Sequence, residues 1–263
     1  MSMRSNLSTC IIAAVSLLAA TRAHASLYSV DWMQLAPTPF NAAPPFSGSY
    51  NLPGIGAVQM SYSANSDFAE ARLALPAMQN GSVSYAGDTY SWGPQETLAR
   101  TNWGFSGLLN SSWFVTYTFS GTVPAGQLVL GVQGLGRRNA NANENPADTI
   151  TTATVLQNGT YFGDWTGALN VGPTLFAPAA GSFTMVNSLT GAGGADPWWN
   201  TGLAVVRIDD AISSLTVRID QTSGDGIGVN LGRIVPEPGT LSLLMLGGAG
   251  ALLRRRDNTL SRS

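Results

Sequence analysis

Apolar and polar residues alternate with a period of two through the middle of the chain. Ser112 to Ser120 reads SWFVTYTFS, which sets Trp113, Val115, Tyr117 and Phe119 on one face and Thr116, Thr118 and Ser120 on the other. Leu215, Val217 and Ile219 alternate in the same way with Ser214, Thr216 and Arg218. After Ser223-Gly224-Asp225-Gly226 the pattern resumes with Ile227, Val229 and Leu231, so a hairpin is expected there. A second hairpin is expected from Ala153–Gln157 and Thr160–Trp165, because the intervening Asn158-Gly159 suits a type I′ turn. A third is expected from Val83–Ala86 and Thr89–Trp92 around Gly87-Asp88. Gln127–Gln133 and Leu203–Ile208 read as buried strands. The body shows no helical period. Many short strands joined by Gly-rich turns predict an all-β fold, a single β-sandwich of jelly-roll-like form. Asn139–Asp148 reads as a surface loop, and Pro37–Pro45 as an irregular crossing between early strands.

Both ends depart from this pattern. Arg4 precedes the apolar run Cys10–Ala20, and Ala23-His24-Ala25 offers a small-x-small cleavage site. Residues 1–25 therefore read as a signal peptide with a short signal helix, and Ser26 as the mature start. A retained anchor is disfavoured, because 11 apolar residues are too few to span a bilayer core of about 30 Å. At the other end, Val235–Gly239 reads VPEPG, Thr240–Leu253 is apolar, and Arg254-Arg255-Arg256 follows. The prolines flanking Glu237 hold that stretch extended. As a helix the apolar run is roughly 21 Å long, a short transmembrane helix whose arginines place the tail on the cytoplasmic side and the body outside. The expected division is a signal peptide over 1–25, a sandwich over 26–234 and a C-terminal segment over 235–263.

Taken in order, Pro236-Glu237-Pro238, the short Gly-interrupted apolar segment and the arginine cluster resemble the PEP-CTERM sorting signal of Gram-negative bacteria. The same module is also known as the ice-binding protein C-terminal domain, a label that carries no implication of ice binding. The resemblance covers about 25 residues at the chain end. It implies that an exosortase, a membrane-embedded processing enzyme, recognises Pro236-Glu237-Pro238, with Arg254, Arg255 and Arg256 completing the signal. It further implies an exported surface or matrix protein made alongside extracellular polysaccharide.

Composition narrows the chemistry of the body. The chain has no Lys, and its one Cys (Cys10) and one His (His24) both fall in the signal segment. Disulfides, thiolate or imidazole metal sites, Ser-His-Asp and Cys-His nucleophiles and Schiff-base lysines are thereby excluded from the mature protein. From Ser26 to Val235 there are seven Arg against 13 Asp and Glu, a net charge of −6, which argues against nucleic acid as a partner. Oxygen ligands leave calcium as the one cofactor to consider. Asp209, Asp210, Asp220 and Asp225 are the candidate ligands, with a second group at Asn143, Glu144, Asn145 and Asp148. Turn chemistry explains the same Asp and Asn residues without any metal. Trp198 and Trp199, in a turn-rich polar stretch, are candidates for stacking on sugar rings. Glu70, Glu96 and Glu144 could supply a carboxylate-based glycosidase or lyase, although no local motif joins an acid to a partner. The expectation is a non-enzymatic structural or adhesive protein, with a carbohydrate-binding module as the alternative.

Overall fold

In a computed structural model of the chain, the Ser112–Ser120 alternation becomes β9 (Ser111–Val123), a central strand of one of two sheets. The structure describes residues 26–35, 41–42, 45–64, 70–75, 81–93, 97–101, 111–138, 149–164, 174–187, 200–221 and 227–237. No helix among them is long and apolar enough to cross a membrane. The expected signal helix and C-terminal transmembrane helix lie outside the described residues, as do the loop over 139–148 and much of the Pro37–Pro45 crossing.

Sheet I is antiparallel throughout. Its order is β3 (Phe46–Leu52), β4 (Gly56–Ala64), β9, β16 (Ile212–Gln221), β11 (Thr149–Val155), β14 (Ser182–Asn187) and β13 (Thr174–Ala179). Sheet II runs β6 (Gly81–Tyr85), β7 (Asp88–Trp92), β1 (Leu27–Trp32), β17 (Ile227–Pro236), β10 (Leu128–Arg138), β15 (Asn200–Ile208) and β12 (Gly159–Asp164). Beyond the end of β1, the same edge of β17 pairs with β8 (Thr97–Thr101), which carries β5 (Glu70–Leu75) and then β2 (Asn41–Ala42). The first residues of β11 pair with β10, so hydrogen bonding is continuous from one sheet to the other at that corner.

The main core lies between the sheets. Trp113, Val115 and Tyr117 of β9 and Leu215, Val217 and Ile219 of β16 are buried with Leu128, Leu130 and Val132 of β10 and Val229 and Leu231 of β17. Each large apolar side chain removed from water in this way contributes roughly 1.5–3 kcal/mol. The outer residues of β9, Thr116, Thr118 and Ser120, are half-buried or exposed, which is why the strand reads so cleanly as alternating.

A second core covers the opposite face of sheet II. It contains Val30, Trp32, Val83, Tyr90, Trp92, Val129, Phe162 and Val205. The β6–β7 pair curls over this face until β6 packs against β12. Rings stack through it from Tyr28 to Tyr90 (5.0 Å), Tyr90 to Phe162 (4.3 Å) and Phe162 to Tyr85 (5.0 Å). Two cores explain why β10 and β15 are nearly continuous apolar runs. Successive residues such as Leu128, Val129 and Leu130 enter opposite cores, and all are buried.

One expected hairpin forms and two do not. β6 and β7 pair from Tyr85↔Asp88, and the turn is Ala86-Gly87, both left-handed at φ 53° and 91°, one residue earlier than the sequence suggested. β11 and β12 do not pair; β11 belongs to sheet I and β12 to sheet II. Gly159 does not supply a left-handed turn angle here. A Cβ on it would lie 2.6 Å from the Phe183 ring and 2.9 Å from Val206, so the requirement is space. β16 and β17 likewise lie in different sheets, and the expected turn over 223–226 lies outside the described residues. Apolar alternation identifies a strand and its buried face; it does not say which sheet the strand joins.

Candidate functional site

The chain leaves the described structure beside the point where it enters. β1 and β17 run antiparallel, with Ser29 opposite Val235 and Tyr28 opposite Pro236. The Glu237 N–H then donates to the Leu27 carbonyl at 3.1 Å. Pro236 takes the last strand position, where its missing N–H costs the ladder least. Strand pairing therefore extends two residues past the boundary expected after residue 234. Met33 N–H donates to Leu231 O at 2.8 Å, and buried Asn230 donates through Nδ2 to Met33 O at 3.2 Å. The first strand is thus joined along its whole length to the C-terminal half of the last.

Comparison with known families decides what this terminal strand leads into. Residues 235–256 match the model of the PEP-CTERM protein-sorting motif. This is a PEP-CTERM sorting signal. No curated protein and no solved structure matches the chain. A PEP-CTERM motif implies export, transient membrane anchoring and processing by an exosortase. Here its first two residues are ladder positions of β17, and Glu237 is tied to β1. Pro238 and Arg254, Arg255 and Arg256 lie outside the described residues, as do Ala23 and Ala25 of the signal cleavage site.

The acidic candidates divide between the two ends of β16. Asp209 and Asp210 precede it, whereas Asp220 is near its far end, roughly 30 Å away at about 3.3 Å per strand residue. Asp209 pairs with Arg207 at 2.7 Å and accepts from Thr160 Oγ1 at 2.6 Å. Asp220 pairs with Arg218 at 2.9 Å and accepts from Ser112 Oγ at 2.6 Å. The structure therefore does not bring Asp209, Asp210 and Asp220 together. Among the described residues no three His, Cys, Asp or Glu side chains form a metal-holding group. Asp225, the 143–148 group, Trp198, Trp199, Glu96 and Glu144 lie outside the described residues, and Glu70 opens β5.

What Asp210 does is tie loops together. The Asn158 backbone N–H donates to its Oδ2 at 2.6 Å and Asn158 Nδ2 donates to its Oδ1 at 2.9 Å. Asn158 Oδ1 accepts from Gly181 N–H at 3.0 Å, and its carbonyl accepts from Asp209 N–H at 3.0 Å. One asparagine thus joins the β11–β12, β13–β14 and β15–β16 connections. The Asn158 side-chain amide, and then its backbone N–H, hold the Asp210 carboxyl below its ordinary value of 3.8. A carboxyl so lowered stabilises the fold above its unfolded value, and that contribution is lost as pH falls through the lowered one. Asn158→Ala should cost about 1–2 kcal/mol in urea unfolding at pH 7, and Asp210→Asn should add little once Asn158 is gone. Strictly additive losses would contradict a shared clasp.

Sequence reasoning missed the outer face of sheet I. Pairing aligns Ser47, Ser61, Thr116 and Thr216 in one row and Ser49, Gln59, Thr118 and Ser214 in the next. Thr116 and Thr216 share a hydrogen bond at 2.9 Å. A third row places Ser63, exposed Phe114, Arg218, Thr154 and Thr184 side by side, with the Arg218 guanidinium 5.8 Å above the Phe114 ring. The signal was present in the polar half of each alternating segment, but rows form only once the register is known.

Proposed function

We propose that the protein is an exported structural or adhesive component of the cell surface or extracellular matrix, delivered by its sorting signal and carrying no catalytic activity. The observation that carries this reading is the PEP-CTERM motif at residues 235–256, which continues directly from the last strand of the folded body. The double-sheet body supports the jelly-roll reading. The orders β8-β17-β10-β15 and β9-β16-β11-β14 change sheet at each step along these eight strands except from β11 to β14, the wrapping that such folds use. A body whose mature residues include no His, Cys or Lys fits a binding or scaffolding role. Changing Pro236, Glu237 and Pro238 together to Ala tests the sorting half. Unprocessed chain should accumulate in the membrane fraction and the released form should fall to background. Release at the unmodified level would contradict it.

The adhesive half has a physical candidate in the outer face of sheet I. Its hydroxyl and amide rows are uncharged apart from Arg218 and Asp220, and Phe114 supplies an exposed ring for a sugar face. Extracellular polysaccharide is the partner that suits these groups, with Trp198 and Trp199 as a second stacking position. Co-sedimentation with exopolysaccharide from the native host, with and without chelator, reads both this contact and any calcium requirement. Binding that is unchanged in Phe114→Ala combined with Thr116→Ala would remove this face from consideration.

A further inference from the structure

The N-terminal end of β1 is built to receive a chain terminus. Among the described strand pairings, β1 with β7 is the one parallel pair; all others are antiparallel. Ser26, just ahead of it, accepts from Thr89 N–H through its carbonyl at 3.0 Å. The Ser26 backbone nitrogen lies 3.0 Å from Asp88 Oδ1. Asp88 opens β7 directly after the Ala86-Gly87 turn, and it has no ion-pair partner among the described residues. Ser26 is also the residue that the Ala23-His24-Ala25 pattern leaves as the first of the mature chain.

We propose that Asp88 is the receptor for the processed N-terminus. This rests on the reading of the chain as exported, with its signal removed after Ala25. In the precursor, the Ser26 nitrogen is a neutral amide with a single N–H. Hydrolysis of the Ala25–Ser26 bond gives the hydroxyl of water to the Ala25 carbonyl and its remaining hydrogen to the Ser26 nitrogen, and the proton of the resulting acid then moves to the same amine. The nitrogen becomes an ammonium with three N–H donors, already at hydrogen-bonding distance from a carboxylate. A neutral hydrogen bond is thereby converted into a charge-assisted one. Signal removal then fastens β1 at Asp88, and β1 in turn holds the Val235–Glu237 end of β17. The first processing event would steady the strand that carries the second processing signal.

The test is a two-by-two comparison of exported full-length mature chains in detergent, whose first residue is verified by intact mass. One pair begins at Ser26 and the other retains a Gly-Gly extension ahead of it; each is made with and without Asp88→Asn. In the Ser26 chain, Asp88→Asn should lower Tm by about 2–4 °C, and in the extended chain by less than half as much. An equal fall in both pairs, in chains confirmed to begin at Ser26, overturns the ammonium pairing and leaves the export reading intact. A native mature chain that begins elsewhere overturns the cleavage site on which the proposal rests.

Discussion

Trp113→Ala should destabilise the body by about 3–5 kcal/mol, the largest loss expected of any single truncation among the residues discussed. Trp113 is fully buried, and its strand position pairs with Ala64 of β4 on one side and Ile219 of β16 on the other. Its ring packs 5.6 Å from that of Tyr62, which is also buried. Trp113 packs in the main core with buried Tyr62 and Ile219, which leaves little scope for collapse into the space, so most of the cavity cost is retained. Against an ordinary stability of about 5–15 kcal/mol, such a loss brings the body near its threshold. Phe114, one residue on, is exposed on the other face, and Phe114→Ala should cost about 0.5 kcal/mol or less. Urea unfolding of the two variants checks the assignment of faces. Similar losses from both would mean that β9 does not have one buried and one open side.

Gly232→Val should have the second largest effect, and its consequences reach the sorting signal. A Cβ on Gly232 would lie 2.6 Å from Val30 Cγ1 and 3.0 Å from Trp32 Cε3. Both neighbours are themselves fixed in the second core, where Trp32 meets Trp92 edge-on at 5.8 Å between ring centroids. The easiest relief is for β1 to lift away from β17, which loosens the Leu27–Glu237 closure. The expected cost is about 1–3 kcal/mol, with faster proteolytic cutting near residues 26–32. Gly121→Ala is the matching control, because nothing lies within 4 Å of a Cβ placed there. Limited proteolysis with N-terminal sequencing should show the new cuts in the first variant and none in the second. An unchanged cutting pattern would contradict the tight approach of β1 to β17.

Much of the fold was legible wherever one face of a strand is buried and the other wet. β9 and β16 declared themselves by alternation, and β10 and β15 by their apolar runs. Val58, Met60 and Tyr62 of β4 alternate with Gln59, Ser61 and Ser63 in the same manner. The partners of each strand were far less legible. Asn158-Gly159 has the composition of a hairpin turn, yet the chain there crosses between sheets. The asparagine is needed to clasp three loops and the glycine to clear Phe183. The pairing of β1 with β17 joins residues 200 to 208 positions apart, and nothing local in either strand encodes it. The second core was hidden for a related reason. Tyr28, Tyr90 and Phe162 come from three separate segments, and only the curl of β6–β7 stacks them.

The candidate site divides along the same line. The sorting motif is a linear signal, read in the order in which it is written, so the sequence sufficed for residues 235–256. The proposed acidic grouping depended on distance in space. Asp209 and Asp220 are 11 residues apart, one ahead of β16 and the other near that strand's far end. Each already has an arginine two residues away in sequence, Arg207 and Arg218 respectively. On an extended strand residues i and i+2 share a face, so these pairs form locally and satisfy the carboxylates where they stand.

We propose that a folded double-sheet body is exported, freed of its signal and then processed at the motif that extends from its last strand. Intact mass of the protein recovered from the surface or medium of its native host tests that sequence of events most directly. The expected chain begins at Ser26 and lacks Arg254 to Ser263. A secreted chain that begins at Ser26 but still carries Arg254 to Ser263 would contradict it.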